Sequence, residues 1–219
     1  MRKTAPRFLS SLFVGLLLSW GLLALSLFLV LAQTWLYPYF SKERINTAGL
    51  REEVIQENYR TLIAYNLNPK GEPLTFQGLG MSEKGRIHFA EVKDLFQAIL
   101  WTGGAALAMA MIMGKRMIRV NQKPDFLLYA CRVSIGLPLA IGLMMAIDFD
   151  QVFVRFHQLF FHNDYWLFQP ETDPIINYLP ESFFLLMALA ILGLWLFSVL
   201  LLRFLLYPRL CKREKRGES

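Results

Sequence analysis

The chain has 219 residues, 55% of them hydrophobic and 18% charged, with a formal net charge of +6. Soluble chains carry about 25% charge, and here the charges are also segregated: residues 8–41, 95–114 and 182–202 contain no Asp, Glu, Lys or Arg. About 20 apolar residues match the hydrocarbon thickness of a bilayer. Disorder, a soluble enzyme and a disulfide-stapled secreted domain are therefore excluded.

The first apolar run follows Arg2, Lys3 and Arg7 and continues into Trp35-Leu36-Tyr37-Pro38-Tyr39-Phe40, an aromatic cluster of the kind found at membrane interfaces. A signal peptide has an apolar region of only about 7–15 residues, so an uncleaved anchor is expected. Four spans are predicted, at about 9–36, 95–114, 126–147 and 182–206, the third containing one charge, Arg132. Backbone polar groups in lipid must be satisfied within the segment, so all four are read as helices. Gly103-Gly104, and Gly136 with Pro138, fall inside spans and suggest close helix contacts. The fold class is an all-α membrane protein, four transmembrane helices with a mostly helical extracytoplasmic cap, forming one integral membrane domain over 1–219.

Lys and Arg set the orientation. The head has three, the loop 115–125 has four, and the tail from Arg203 has six, whereas 148–181 has only Arg155 against six acids. Basic loops stay in the cytoplasm, so both termini are expected inside, with outer segments 38–94 and 148–181 and a cytoplasmic loop at 115–125. The basic rim suits anionic membrane phospholipids, not nucleic acid. Cys131 and Cys211 then both lie on the reducing side, and no disulfide is expected.

Ile45, Leu50, Val54, Tyr59, Leu62 and Ile63 alternate with charges, predicting one or two amphipathic helices over 42–64. Asn68-Pro69-Lys70-Gly71-Glu72-Pro73 is a turn, Leu74-Thr75-Phe76 a short extended piece, and Ser82 with Glu83-Lys84-Gly85 a further turn or a helix start. Phe149, Phe153, Phe156 and Phe160 recur at helical spacing and predict an aromatic helix at the interface. Pro180 suits the first turn of the last span. His88, His157 and His162, the only histidines, all lie in the outer segments.

The sequence has no Gly-x-Ser-x-Gly elbow, no His-Glu-x-x-His helix and no phosphate-cradling glycine loop. No metal-ligand spacing and no cofactor motif is present. What remains on the outer face is His, Asp, Glu, Asn and aromatic side chains, a set suited to general acid–base catalysis without a covalent intermediate. The spans hold no Asp, Glu, Lys or Arg except Arg132, and no clear inverted repeats of broken helices, which argues against a transporter.

Two segments carry a family resemblance. The first is Asn58-Tyr59-Arg60-Thr61-Leu62-Ile63-Ala64-Tyr65-Asn66-Leu67, followed by Ser82 and by His88-Phe89-Ala90-Glu91-Val92-Lys93. The second is Phe156-His157-Gln158-Leu159-Phe160-Phe161, then Asn163-Asp164-Tyr165-Trp166, Pro170, Asp173, Ile176 and Leu179-Pro180-Glu181-Ser182-Phe183-Phe184. Together they resemble the bacterial lipoprotein intramolecular transacylases. The resemblance implies an acyltransferase of the bacterial cell membrane, with its active site facing outward and no cofactor. The implied substrate is a diacylated lipoprotein. Its sn-2 acyl chain would move from the diacylglyceryl-cysteine to the cysteine α-amine, leaving an N-acyl lyso-form. His157 and His88 become the candidate catalytic residues; Tyr65 and Asn163 are candidate oxyanion donors, Glu91 and Asp164 candidate partners of an imidazole, and Trp166 a candidate supporting residue. Two alternatives stay open, a non-catalytic lipid- or partner-binding membrane protein and a phospholipid acyl-hydrolase.

Overall fold

The structure is a computed structural model that describes residues 5–35, 37–38, 50–120 and 124–216. Among these, every regular element is helical. We number the helices α1 (Ala5–Ala32), α2 (Glu52–Leu67), α3 (Glu83–Arg119), α4 (Phe126–Ile147), α5 (Phe149–Phe160), α6 (Glu181–Leu201) and α7 (Tyr207–Arg216). A 3₁₀ turn covers Pro174–Tyr178, and a π turn, Leu202–Leu206, joins α6 to α7. Four helices are long and apolar enough to cross a membrane: Arg7–Ala32, Glu83–Arg119, Phe126–Ile147 and Glu181–Cys211. Part of the aromatic cluster (Leu36, Tyr39, Phe40), residues 42–49 of the expected amphipathic segment, and the basic residues Arg2, Lys3 and Lys123 lie outside the described residues.

The chain divides into two compact units. The first comprises residues 1–28, 100–143 and 189–219. Its core joins Val14, Leu18 and Leu22 of α1 to Ala110 of α3, Ala130 of α4 and Trp195 of α6. In lipid, helices associate through close packing and interhelical hydrogen bonds, and α1 uses both. Ser19 Oγ and Ser134 Oγ share a buried hydrogen bond of 2.7 Å. A Cβ at Gly21 would meet Leu107, and one at Gly103 would collide with Ala24. Gly103 therefore makes the close contact its place in the span suggests, whereas Gly104 and Gly136 have nothing within 4 Å. Phe13, Trp101, Ile112, Leu139 and Phe197 are exposed, an arrangement stable only against lipid. The π turn ends two residues before Pro208, which has no N–H to give to the preceding turn.

The second unit comprises residues 29–99 and 144–188. Helix α2 buries Ile55, Asn58, Tyr59, Leu62, Ile63 and Asn66, the spacing of a single helical face. Tyr37 stacks on Tyr59 at 4.0 Å and donates its hydroxyl to the Tyr178 carbonyl at 2.8 Å. Burial holds the Tyr59 phenol neutral, its pKa pushed up to about 12. The Asn68 turn forms as expected, its carbonyl accepting from Gly71 N–H and its side chain from Lys70 N–H. Leu74 and Phe76 are buried and Thr75 exposed; the segment is held by Asn58, which bonds both the N–H and the C=O of Gln77 at 2.7 and 3.0 Å. At Gly78, φ is +71°, a conformation costly for any residue with a Cβ.

Ser82 begins a helix. Its Oγ accepts from the Gly85 N–H at 2.9 Å, the usual N-cap arrangement. The buried carboxylate of Asp173 accepts from the Ser82 N–H at 2.8 Å and from the Thr172 hydroxyl at 2.8 Å. This double fastening ties the start of α3 to the loop before α6. From there α3 runs through charged turns, 83–94, into the charge-free 95–114 stretch without interruption. Helix α4 ends at Asp148, whose carboxylate caps α5 through the Gln151 N–H at 2.9 Å.

Candidate functional site

All the candidate site residues lie in the second unit. His88 sits on α3, seven residues before the apolar stretch, which is about 10 Å at 1.5 Å per residue. His157 sits in the last turn of α5 and is the only buried residue of that helix. They are 69 positions apart in sequence, yet their ring centroids are 5.8 Å apart. Both side chains are enclosed, with residue exposures of 5% and 8%.

The walls are aromatic. Phe161 and Phe168 meet the His88 ring edge-on at 4.8 and 5.5 Å. Phe153 and Trp166 contact His157 at 4.2 and 4.7 Å, the indole stacked at 29°. The aromatic face predicted for α5 is thus divided: Phe153 packs on the imidazole, while Phe156, Leu159 and Phe160 are exposed.

Hydrogen bonding fixes one tautomer. His157 Nδ1 lies 2.8 Å from the Phe153 carbonyl. A carbonyl oxygen only accepts, so Nδ1 carries the hydrogen and Nε2 keeps its lone pair. Burial lowers the His157 pKa, and the bond to Phe153 offsets part of that effect. For His88, in the charged turns ahead of the apolar stretch, burial and the neighbouring His157 lower the pKa to about 4. Both rings are therefore neutral at pH 7, the form needed in a base.

Glu91 stands one turn beyond His88 on α3. Its Oε2 is 4.0 Å from His88 Nδ1, too far for a hydrogen bond, and a neutral ring makes it no ion pair. Both atoms are buried and unpartnered. The other carboxylate oxygen, Oε1, accepts from Asn163 Nδ2 at 2.8 Å, and Asn163 Oδ1 accepts from the Tyr165 N–H at 3.0 Å. Beside this chain lies an open cleft of about 340 Å³ lined by Glu91, Asp94, Leu95, Phe160, Phe161, His162 and Asn163. The cleft shares Glu91 and Phe161 with the surroundings of His88.

The structure brings together His88, His157, Glu91, Asn163 and Trp166. Tyr65 packs its ring beneath Lys93 Nζ at 4.3 Å, and burial, with the nearby Asp94 of the cleft wall, raises its pKa. The phase of α3 explains the contact with Lys93. Lys93 and Gln97, one turn apart, face α2, with Gln97 bonding the Asn66 carbonyl at 2.7 Å; His88 and Glu91 face the 161–168 loop. Asp164 is exposed, and among the described residues its carboxylate makes no hydrogen bond or ion pair; Glu91 is the carboxylate beside an imidazole. His162 is exposed at the rim of the cleft. Sequence reading missed the part played by two contributors. The Phe153 carbonyl could have been found from its i−4 relation to His157 on a helix; the anchoring carboxylate of Asp173 leaves no such local signal. Among the described residues, no group of three or more His, Cys, Asp or Glu could hold a metal ion.

A family model and solved structures point to the same family. A family model described as lipoprotein intramolecular transacylase Lit matches residues 12–184. The chain is similar to a solved structure of the membrane-integral lipoprotein intramolecular transacylase Lit from Bacillus cereus, at 35% identity and TM-score 0.89, over 96% of this chain and 98% of that one. Two further structures of the Bacillus cereus protein carry a histidine-to-arginine or a histidine-to-alanine replacement. Each matches at 34% identity and TM-score 0.85 over 96% of this chain, covering 94% of the arginine variant and 96% of the alanine variant. No curated protein sequence matched. The matched residues include both segments that carried the resemblance, and the chain belongs to the lipoprotein intramolecular transacylase family of membrane-integral acyltransferases.

Proposed function

We propose that the chain moves the sn-2 acyl group of a diacylglyceryl-cysteine lipoprotein onto the α-amine of the same cysteine, using His157 as general base and His88 as its proton-relay partner. The observation that carries this reading is the approach of the two rings to 5.8 Å, with the Nδ1 hydrogen of His157 committed to Phe153. The substrate ammonium, with a pKa of about 7.7–8.0, first gives one proton to water. The neutral amine attacks the ester carbonyl carbon, and the C=O π pair moves onto oxygen. His157 Nε2 removes the proton remaining in excess on nitrogen. Collapse of the tetrahedral intermediate re-forms C=O and breaks the bond to the glyceryl oxygen. That oxygen receives the proton through His88, which accepts at one ring nitrogen while releasing at the other. No acyl donor or cofactor is consumed. Each positioned proton transfer contributes about 10²–10⁴-fold, and holding amine against ester contributes an effective molarity of up to about 10⁵–10⁸ M. Glu91, held by Asn163, faces the relay ring and favours it while it is charged.

The same reading places both termini in the cytoplasm and the histidines on the outer side. The Lys and Arg counts support it, as do the exposed Phe156, Leu159 and Phe160 of α5, which suit insertion among phospholipid chains. Nucleic acid has no part in it. A synthetic diacylglyceryl-cysteine peptide with different acyl chains at sn-1 and sn-2 tests the reaction. Tandem mass spectrometry should find the sn-2 chain on nitrogen and no free fatty acid. Free fatty acid with an unmodified amine would instead mark a hydrolase, and an unchanged peptide a non-catalytic protein.

A further inference from the structure

Acyl transfer needs a hydrogen-bond donor for the negative oxygen of its tetrahedral intermediate. Of the two donors suggested by sequence, Asn163 Nδ2 is engaged with Glu91, and Tyr65 packs its ring under Lys93, against the face of α3 turned away from His88. One unengaged donor remains against the base. Trp166 Nε1 is shut off from solvent and has no acceptor, and its indole is stacked on His157 at 4.7 Å. An indole N–H can only donate, and a buried donor without an acceptor is costly, so an incoming acceptor is strongly favoured there. The orphaned N–H of Trp195 differs in its surroundings: it belongs to the apolar core of the first unit.

We infer that the Trp166 indole N–H is the oxyanion donor of this acyltransferase, bonding the sn-2 carbonyl oxygen as it becomes negative. The inference rests on His157 being the base. In the intermediate, the attacked oxygen and the amine nitrogen share one carbon. A base about 2.6–3.2 Å from the nitrogen and a donor about 2.7–3.1 Å from the oxygen then fall within roughly 8 Å of each other. Two stacked rings 4.7 Å apart satisfy that limit. The neighbouring orphan, His88 Nδ1, faces the carboxylate of Glu91 and so belongs to the relay.

The test compares Trp166→Phe with His157→Ala in the purified full-length protein, assayed on the synthetic lipopeptide. Phe keeps a ring against His157 and removes only the N–H. For Trp166→Phe, kcat should fall about 10²-fold, with KM and the thermal unfolding temperature close to wild type. A kcat equal to wild type would overturn the inference while leaving the base assignment standing, provided His157→Ala is inactive. An active His157→Ala would instead remove the base assignment itself. Should the Phe variant fail to fold, benzothienylalanine at position 166, with sulfur in place of N–H, takes its place. The same loss of kcat supports the donor role; wild-type kcat overturns it.

Discussion

At the scale of single residues, the site is defined by which polar atoms have partners and which lack them. The Asn163–Glu91 bond at 2.8 Å positions the carboxylate beside His88. Removing either end should matter once, not twice. We expect Asn163→Ala and Glu91→Gln each to lower kcat by about 10-fold, and the double variant to lose much less than the product, because residues of one network are non-additive. Multiplicative losses would separate the two. The pH profile follows from the direction of the pKa shifts. Burial lowers the His157 pKa below its usual 6.5, and burial with the neighbouring His157 lowers that of His88 to about 4, so neither ring titrates above the usual histidine range. Between about pH 6.5 and 8 the rate should rise with deprotonation of the substrate amine, and replacing that amine by one of lower pKa should move the rise downward. Linkage has the corresponding sign. Depressed histidine pKa values stabilise the fold fully above about 6.5, and this contribution is lost as pH falls toward 4, so the unfolding temperature should drop over that window. His88 stood out in the sequence as one of three outer histidines. Its pairing with His157 bridges 69 residues, and the Asn163–Glu91 bond beside it bridges 72, distances over which local pattern carries no information.

At the scale of elements, α2 and α5 show what periodicity reveals. The buried face of α2 follows the apolar spacing of 55, 59, 62 and 63, and residues Asn58 and Asn66 join it because each finds a backbone carbonyl to bond. The aromatic repeat of α5 correctly implied a helix, but periodicity could not tell which rings pack on His157 and which stay exposed, since Phe153 and Phe156 are both apolar. The phase of α3 was equally hidden, and it turns Lys93 and Gln97 to α2 while His88 and Glu91 meet the 161–168 loop. The start of α3 rests on Asp173. Asp173→Ala would leave the Ser82 N–H without its acceptor and should lower stability by about 1–2 kcal/mol, read as an earlier thermal transition. Gly85→Ala should destabilise by a different route, because its Cβ would run into Asp173 Oδ1; a transition equal to wild type would contradict the fastening. At Gly103, Leu should disrupt the contact with Ala24, whereas Gly104→Ala, in open space, should be close to neutral.

At the scale of the whole molecule, segregation of charge revealed the membrane class, because a bilayer tolerates long uncharged runs only as self-satisfied helices. The same counts predict an orientation with both termini inside, and that prediction is testable. In intact cells a membrane-impermeant maleimide should fail to label Cys211 and should label it after lysis, in a Cys131→Ser background; labelling in intact cells would invert the topology. The central claim, that the paired imidazoles perform the acyl transfer, meets its most direct test in His157→Asn. Asparagine keeps an N–H for the Phe153 carbonyl and removes the basic Nε2. Initial rates of N-acyl lipopeptide formation, measured by mass spectrometry on folded protein, should fall about 10²–10⁴-fold. Formation of that product at the wild-type rate would contradict the account.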